Sequence, residues 1–297
     1  MKILVIGGTR FFGKELVSKL GEQGHEVTIV SRGNQKLPTS KALSHILADR
    51  DDLEGPLNEL GTYWDVVYDQ ICYCSNDAAA TLRAIEGKAG KLIIASSEAV
   101  YENGLNKHET DFDPSTFSYE TGSRSDFSYA EGKRNAEGFL FQNANLSVIA
   151  ARIPFVLGID DYTKRLEQII KAVAKGEPIY VPSLGARLSM ISSSEIASAL
   201  CNLKEVDFDG PLNIAPKTPI STGYLLNQIE NIVGKKAQLE DSPEVGLISD
   251  FLTSSNRSID PSRLEEYGIE ISAIDTWLST LIREIASQEV SSPPANT

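Results

Sequence analysis

Tyr129 and Lys133 stand four residues apart in Ser128-Tyr129-Ala130-Glu131-Gly132-Lys133-Arg134-Asn135-Ala136-Glu137. On a helix that spacing turns both side chains to one face. A phenol with an unperturbed pKa of ~10 is a poor base at neutral pH. An ammonium ~6 Å away, at an effective dielectric of ~20, favours the phenolate by ~2–3 kcal/mol, or about two pKa units. Tyr129 is therefore expected to work as general acid or base, its pKa drawn toward the working pH by Lys133. Ser97, at the end of a strand, is expected to hydrogen-bond the reacting oxygen. A Tyr and a Lys at this spacing also arise often by chance, so their meaning depends on the elements around them.

The first such element opens the chain. Lys2-Ile3-Leu4-Val5-Ile6 favours a fully buried strand, and it runs into Gly7-Gly8-Thr9-Arg10-Phe11-Phe12-Gly13 before a helical pattern starts near Lys14. A strand, a tight glycine turn and a helix N-terminus make an anion site, because backbone N–H groups and the helix dipole both favour negative charge there. Residues without Cβ at Gly7 and Gly13 let a pyrophosphate approach the backbone, so a dinucleotide is expected at this turn. The second strand, Glu26 to Val30, ends in Ser31-Arg32. An acidic residue at that place holds the adenosine ribose of NAD, whereas an arginine accommodates the 2′-phosphate of NADP. Ser31, Arg32 and the nearby Arg10 favour NADP(H) over NAD(H), and the competing reading leaves Arg32 a solvated loop residue.

A third strand, His45 to Leu47, leads into Ala48-Asp49-Arg50-Asp51-Asp52, where Asp49 is expected to meet the adenine, Arg50 to contact the cofactor and Asp52 to cap a helix over residues 53–60. Strand four covers residues 65–69, and the Gln70-Ile71-Cys72 backbone after it is expected to touch the cofactor. An alanine-rich helix (77–87) and a fifth strand (91–95) follow, the latter ending in Ser96-Ser97-Glu98-Ala99-Val100-Tyr101. Strands alternating with helices mean βαβ units and a parallel, doubly wound sheet. Residues 102–127 read as a long loop beside a pocket. The Tyr129 helix runs to about Phe141, and strand six (146–151) ends at Arg152-Ile153-Pro154, where Ile153 is expected to bind the cofactor and Arg152 and Pro154 to shape the wall near the nicotinamide or simply to end the strand. Further on, the pattern gives helices at 164–175, 193–203, 222–233 and 275–287, strands at 178–181, 187–191 and 212–215, and a short helix at 260–264. A disordered tail is expected over 286–297.

Composition narrows the class. The chain has 297 residues, 41% of them hydrophobic, and a formal net charge of −13. That charge argues against nucleic acid and anionic membranes as partners. Three cysteines (Cys72, Cys74 and Cys201) make no disulfide framework. Cys72 and Cys74 read as small packing residues, and no metal site is expected. The short apolar run before Gly7 does not read as a signal peptide, and no run reaches bilayer length, so a soluble, cytoplasmic protein is expected.

Taken together, the glycine turn, the Ser96-Ser97 pair and the Tyr129/Lys133 helix resemble the short-chain dehydrogenase/reductase superfamily. Ser96-Ser97-Glu98-Ala99-Val100-Tyr101 is similar to the "SSxxVY" segment of its extended branch, the NAD-dependent epimerase/dehydratase family. Ala48–Asp52, Arg152–Gly158 and Met190–Ala197 resemble that branch's "GDxxD", "RxxNVYGP" and "FIHVxDVA". Gly7 to Gly13 looks like the "GGTRFxG" subgroup, which includes bacterial epimerase-like proteins and chloroplast stem-loop-binding proteins.

The resemblance implies a Rossmann-type α/β fold with the cofactor domain at 1–155 and a returning segment at about 189–215. A smaller C-terminal substrate domain (156–188 and 216–285) is implied with it. It also implies Ser97, Tyr129 and Lys133 as the catalytic set, with Lys133 holding the ribose, and a homodimer through the helices near 77–87 and 128–141. The expected activity is that of an epimerase or dehydratase on a hydroxyl or carbonyl, the substrate a small molecule such as a nucleotide sugar. A carbonyl reductase and a non-catalytic cofactor-sensing or RNA-binding protein are the alternatives.

Overall fold

The computed structural model describes residues 1–37, 43–249 and 252–291. Strand β1 (Lys2–Ile6) feeds helix α1 (Phe11–Glu22), followed by β2 (Glu26–Ser31), β3 (Leu43–Leu47), α2 (Glu54–Leu60), β4 (Val66–Asp69), α3 (Ser75–Ile85) and β5 (Lys91–Ser97). Next come β6 (Gly104–Lys107), α4 (Tyr129–Asn143), β7 (Ser147–Ile153), β8 (Phe155–Leu157), α5 (Arg165–Lys175) and β9 (Pro178–Tyr180). Then follow β10 (Arg187–Leu188), β11 (Met190–Ser192), α6 (Ser193–Leu203) and β12 (Gly210–Asn213). The remaining elements are β13 (Ile220–Ser221), α7 (Thr222–Val233), β14 (Gln238–Glu240), β15 (Arg257–Ile259), α8 (Ser262–Glu266) and α9 (Leu278–Ser291).

Seven strands form one sheet in the order β12-β7-β5-β4-β1-β2-β3, with every pairing parallel. Such a sheet is covered on both faces, which is why its strands are near-continuous apolar runs such as Ile3-Leu4-Val5-Ile6. One face packs α1 and α6 through Leu16, Val17, Leu20, Ile196 and Leu200. The other packs α2, α3 and α4 through Leu57, Ala78, Ile85, Ala136 and Leu140. The buried Tyr68 hydroxyl donates to the Leu200 carbonyl (2.9 Å), fastening α6 to the sheet.

A separate apolar core gathers α5, α7 and α9. Leu166, Ile169, Ile170 and Val173 of α5 recur at helical spacing and bury one stripe. Leu225, Ile229, Leu278 and Ile282 meet them.

Four expectations change. The third strand starts earlier, at Leu43, where it still pairs β2. The stretch 187–191 is two strands in different sheets, because Ser189 turns its N–H to the Arg257 carbonyl (3.0 Å) and the chain crosses over there. The segment 102–127 carries β6, which pairs β15, and two single 3-10 turns. Helix α9 continues to Ser291, past the expected start of the tail at 286, while 292–297 lie outside the described residues. Among the described residues, no helix is long and apolar enough to cross a membrane.

Candidate active site

The turn after β1 needs its glycines. Gly7 and Gly8 have φ of +89° and +70°, and a Cβ on Gly8 would lie 2.6 Å from Val5 Cγ1. A Cβ on Gly13 would lie 2.9 Å from the Gly8 Cα, so helix and turn touch backbone to backbone. No side chain caps α1, and its first turn holds no acidic residue. Its free N–H groups and positive dipole end therefore face an anion from outside the helix.

They open on a cavity of about 830 Å³. Gly7, Gly8, Thr9, Arg10, Phe11, Phe12 and Gly13 line it, together with Ser31, Arg32, Asp49, Arg50, Gln70 and Ile71. Gln70 is 9% exposed, and neither its amide oxygen nor its amide nitrogen has a hydrogen-bond partner among the described residues. A buried amide without partners on a cavity wall suits a polar ligand. With the anion-binding turn at one side and the arginines at the rim, the residues present fit a pyridine dinucleotide.

Two expected cofactor residues, Asp49 and Arg50, line the cavity and also have partners within the protein. The Arg50 guanidinium donates to both Asp69 oxygens (2.9 and 2.6 Å), to Thr81 and to the Asp77 carbonyl, so it braces the wall that it lines. Burial works against this cation, but the Asp69 carboxylate outweighs it and lifts the pKa above the usual arginine value. Asp52 does not cap α2, which has no side-chain cap; Asp49 instead caps the 3-10 turn Arg50–Asp52 before it, accepting from the Asp51 N–H (3.2 Å).

Ser97 and Tyr129 lie beyond the residues that line this cavity. Helix α4 starts at Tyr129 because Ser128 and Glu131 form a reciprocal capping box: Ser128 N–H donates to Glu131 Oε2 (2.9 Å), and Glu131 N–H to Ser128 Oγ (3.3 Å). Tyr129 is 56% exposed. Desolvation of its hydroxyl end nevertheless raises its pKa above 10.0, while the Ser97 hydroxyl, within hydrogen-bonding reach, and the Arg165 cation pull it back.

Lys133 corrects the expectation most. It is 2% exposed, and its Nζ donates to the Cys72 and Ala95 carbonyls (2.7 and 2.6 Å). It stands 5.8 Å from the Tyr129 ring centroid but 4.5 Å from that of Tyr73. The leading pulls on Tyr129 come from Ser97 and Arg165 instead, and burial lowers the Lys133 pKa itself.

Ser96, Cys72 and Ile153 sit off the cavity wall. Ser96 donates to Glu137. Ile153 is buried in the sheet core, and burial pushes the Cys72 thiol well above its usual range. Arg152 is a buried strut too: its guanidinium grips Glu137 (2.6 Å) and donates to the Tyr101 hydroxyl (2.8 Å), which in turn donates to Asn213. Tyr101 is thus a packing residue.

Glu98, Tyr73, Arg124 and Tyr162 were not foreseen. Tyr73, Arg124 and Tyr162 line the cavity. Glu98 is buried beside Ser97, with Arg257 Nη2 at 3.4 Å, and burial pushes its pKa up to about 8. Its place directly after the Ser-Ser pair was the available signal; the others come together only in three dimensions.

The sequence model of the NAD dependent epimerase/dehydratase family matches residues 3–203. Over 220 residues the chain is 28% identical to the chloroplast stem-loop binding protein of 41 kDa b from Arabidopsis thaliana. That match covers 68% of this chain and 54% of the relative, so the chain spans about half the length of the curated relative it matches. Among solved structures, Thermus thermophilus UDP-glucose 4-epimerase in complex with NAD superposes with a TM-score of 0.73 at 19% identity, covering 99% of this chain and 100% of that one. Thermotoga maritima UDP-glucose 4-epimerase with UDP-glucose gives 0.74 at 16% identity, covering 98% and 100%. At these identities the likeness is one of fold.

Proposed function

The chain belongs to the NAD dependent epimerase/dehydratase family, and we propose that it is a dinucleotide-dependent enzyme interconverting a hydroxyl and a carbonyl on a small molecule. The observation that carries this reading is the placement of Tyr129, with the Ser97 hydroxyl in hydrogen-bonding reach of it, next to Tyr73, which lines the glycine-turn cavity and whose ring lies 6.3 Å from that of Tyr129. Gly7–Gly13 hold the pyrophosphate at the α1 N-terminus, Gln70 offers its free amide, and Lys133 supplies its remaining N–H to the ribose. When bound, the cofactor gives or takes the hydride.

Tyr129 moves the proton at the substrate oxygen, and Ser97 hydrogen-bonds the same oxygen. With its pKa above 10.0, Tyr129 carries its proton at neutral pH and acts first as an acid, toward a carbonyl. Arg10 and Arg32 on the cavity wall favour NADP(H). The substrate domain is formed by the α5, α7 and α9 core, and a nucleotide sugar is the substrate class this reading favours.

Native mass spectrometry of freshly purified protein, followed by NADPH and NADH titration, tests the reading. A retained or tightly bound dinucleotide supports it, and binding of neither removes it. Tyr129→Phe should lower turnover by about 10²–10⁴-fold with dinucleotide affinity unchanged; unaltered turnover would remove Tyr129 from its role. The likeness to a stem-loop binding protein favours a second reading, RNA binding on the same fold. A salt-dependent gel shift with structured RNA would support that one, and the charge of −13 weighs against it.

A further inference from the structure

Between the end of β4 at Asp69 and the start of α3 at Ser75, five residues run along the carboxyl edge of the sheet. Tyr73 is fixed in that loop from three sides. Its N–H donates to Asp77 Oδ2 (2.7 Å), the neighbouring Cys72 carbonyl accepts from Lys133, and α4 lies close on its backbone. A Cβ on Gly132 would stand 2.4 Å from the Tyr73 carbonyl oxygen, so only glycine lets the catalytic helix seat there.

Two cations bear on the ring that this backbone holds. Lys133 Nζ, from α4, and Arg124 Cζ, from the segment after β6, each lie 4.5 Å from its centroid. Arg124 also donates to Asp77 Oδ2 (3.0 Å) and to the Ile71 carbonyl (2.9 Å), and it lines the cavity beside Ser123 and Ser125. Two like charges so placed repel, and an aromatic face attracts both through its quadrupole. An aliphatic side chain of similar bulk would fill the space and supply no such attraction.

We propose that Tyr73 is a positioning residue of this site: its ring holds the Lys133 ammonium and the Arg124 guanidinium in place, tying the cavity rim to the catalytic helix. A dinucleotide entering the cavity then meets Arg124 already arranged, and behind Tyr73 the buried Lys133 is held beside Tyr129. The inference rests on the reading that the cavity takes a pyridine dinucleotide.

The test compares Tyr73→Phe, which keeps the ring, with Tyr73→Leu, which keeps the bulk. The Phe variant should bind NADPH within about twofold of the parent, and the Leu variant about tenfold more weakly, with a displaced pH profile of kcat/KM. Arg124→Gln, at a half-exposed rim position that leaves the core untouched, should weaken NADPH in the same sense. In melting experiments without cofactor, Arg124→Gln should cost stability in the parent and measurably less in the Tyr73→Leu background, the difference being the ring's share beside the bonds to Asp77 and Ile71. Leu and Phe variants alike in binding and pH profile, or an Arg124→Gln cost equal in both backgrounds, would overturn the proposal. A parent protein that binds neither NADPH nor NADH defeats the functional reading separately, and the cofactor-free cycle still decides for or against the ring's hold on Arg124.

Discussion

Arg152 and Glu137 form an ion pair with neither side chain exposed: Arg152 Nη2, on β7, lies 2.6 Å from Glu137 Oε2, on α4. Ser96 shares the same carboxylate, and the guanidinium also donates to the Tyr101 hydroxyl and to the Glu109 and Phe112 carbonyls. The pair joins β7, α4, β5 and the segment after β6 at one point. Arg152→Ala leaves a buried carboxylate without its cation, and about 3–5 kcal/mol of stability should be lost. Arg152→Lys should recover little, since one ammonium cannot reproduce the fork to Glu137 and Tyr101. Chemical denaturation of the three proteins checks both statements; a Lys variant as stable as the parent would contradict the second.

Glu98 gives a pH signature. Burial raises its pKa to about 8 from an ordinary 4.5, despite Arg257 at 3.4 Å. A carboxyl whose folded pKa is raised binds its proton more tightly when folded. Its contribution is complete below pH ~4.5 and is lost as pH rises toward ~8. Glu98→Gln removes the ionisation, so relative to the parent it should become more stable by a few kcal/mol as pH goes from ~5 to ~8.5. Unfolding free energies at several pH values measure this, and a difference that stays flat with pH would refute it.

At the glycine turn, conformation and space act together. Gly8→Ala asks an L-residue to adopt φ +70° and places a Cβ 2.6 Å from Val5 Cγ1. Gly61→Ala imposes a similar φ of +57° with nothing within 4 Å of the added carbon. The second change should cost ~1–2 kcal/mol, the price of the left-handed conformation alone. The first should cost clearly more and weaken dinucleotide binding as well. Melting curves and NADPH titration of the two variants side by side decide it.

Arg32 lines the cavity just past the end of β2, where Ser31 turns its hydroxyl to His45 Nε2 (2.8 Å). If it meets a 2′-phosphate, Arg32→Ala should weaken NADPH about tenfold or more and NADH about twofold or less. Fluorescence titration with both dinucleotides reads the ratio, and equal losses would assign Arg32 to the solvated loop.

Much of this architecture could be read along the chain, because its signals are local. The run Lys2–Ile6 into Gly7 and Gly8 specifies a buried strand and a turn through backbone sterics alone. The Ser128–Glu131 capping box marks where the catalytic helix begins, and the apolar spacing of α5 shows which stripe it buries. Alternation of strand and helix determined a parallel sheet before any strand order was known. The tertiary structure decided how charges and rings are shared. Lys133 lies four residues from Tyr129, yet it spends two N–H groups on carbonyls of two other strand ends and stands closer to Tyr73. Ser96 and Arg152 are drawn into a buried network by Glu137, and Arg50, though it lines the cavity, is held by Asp69; these partners lie 15–41 residues away in sequence. Hydrophobic periodicity carries no record of such partners, since a buried cation goes to whichever carboxylate the fold brings within about 3 Å.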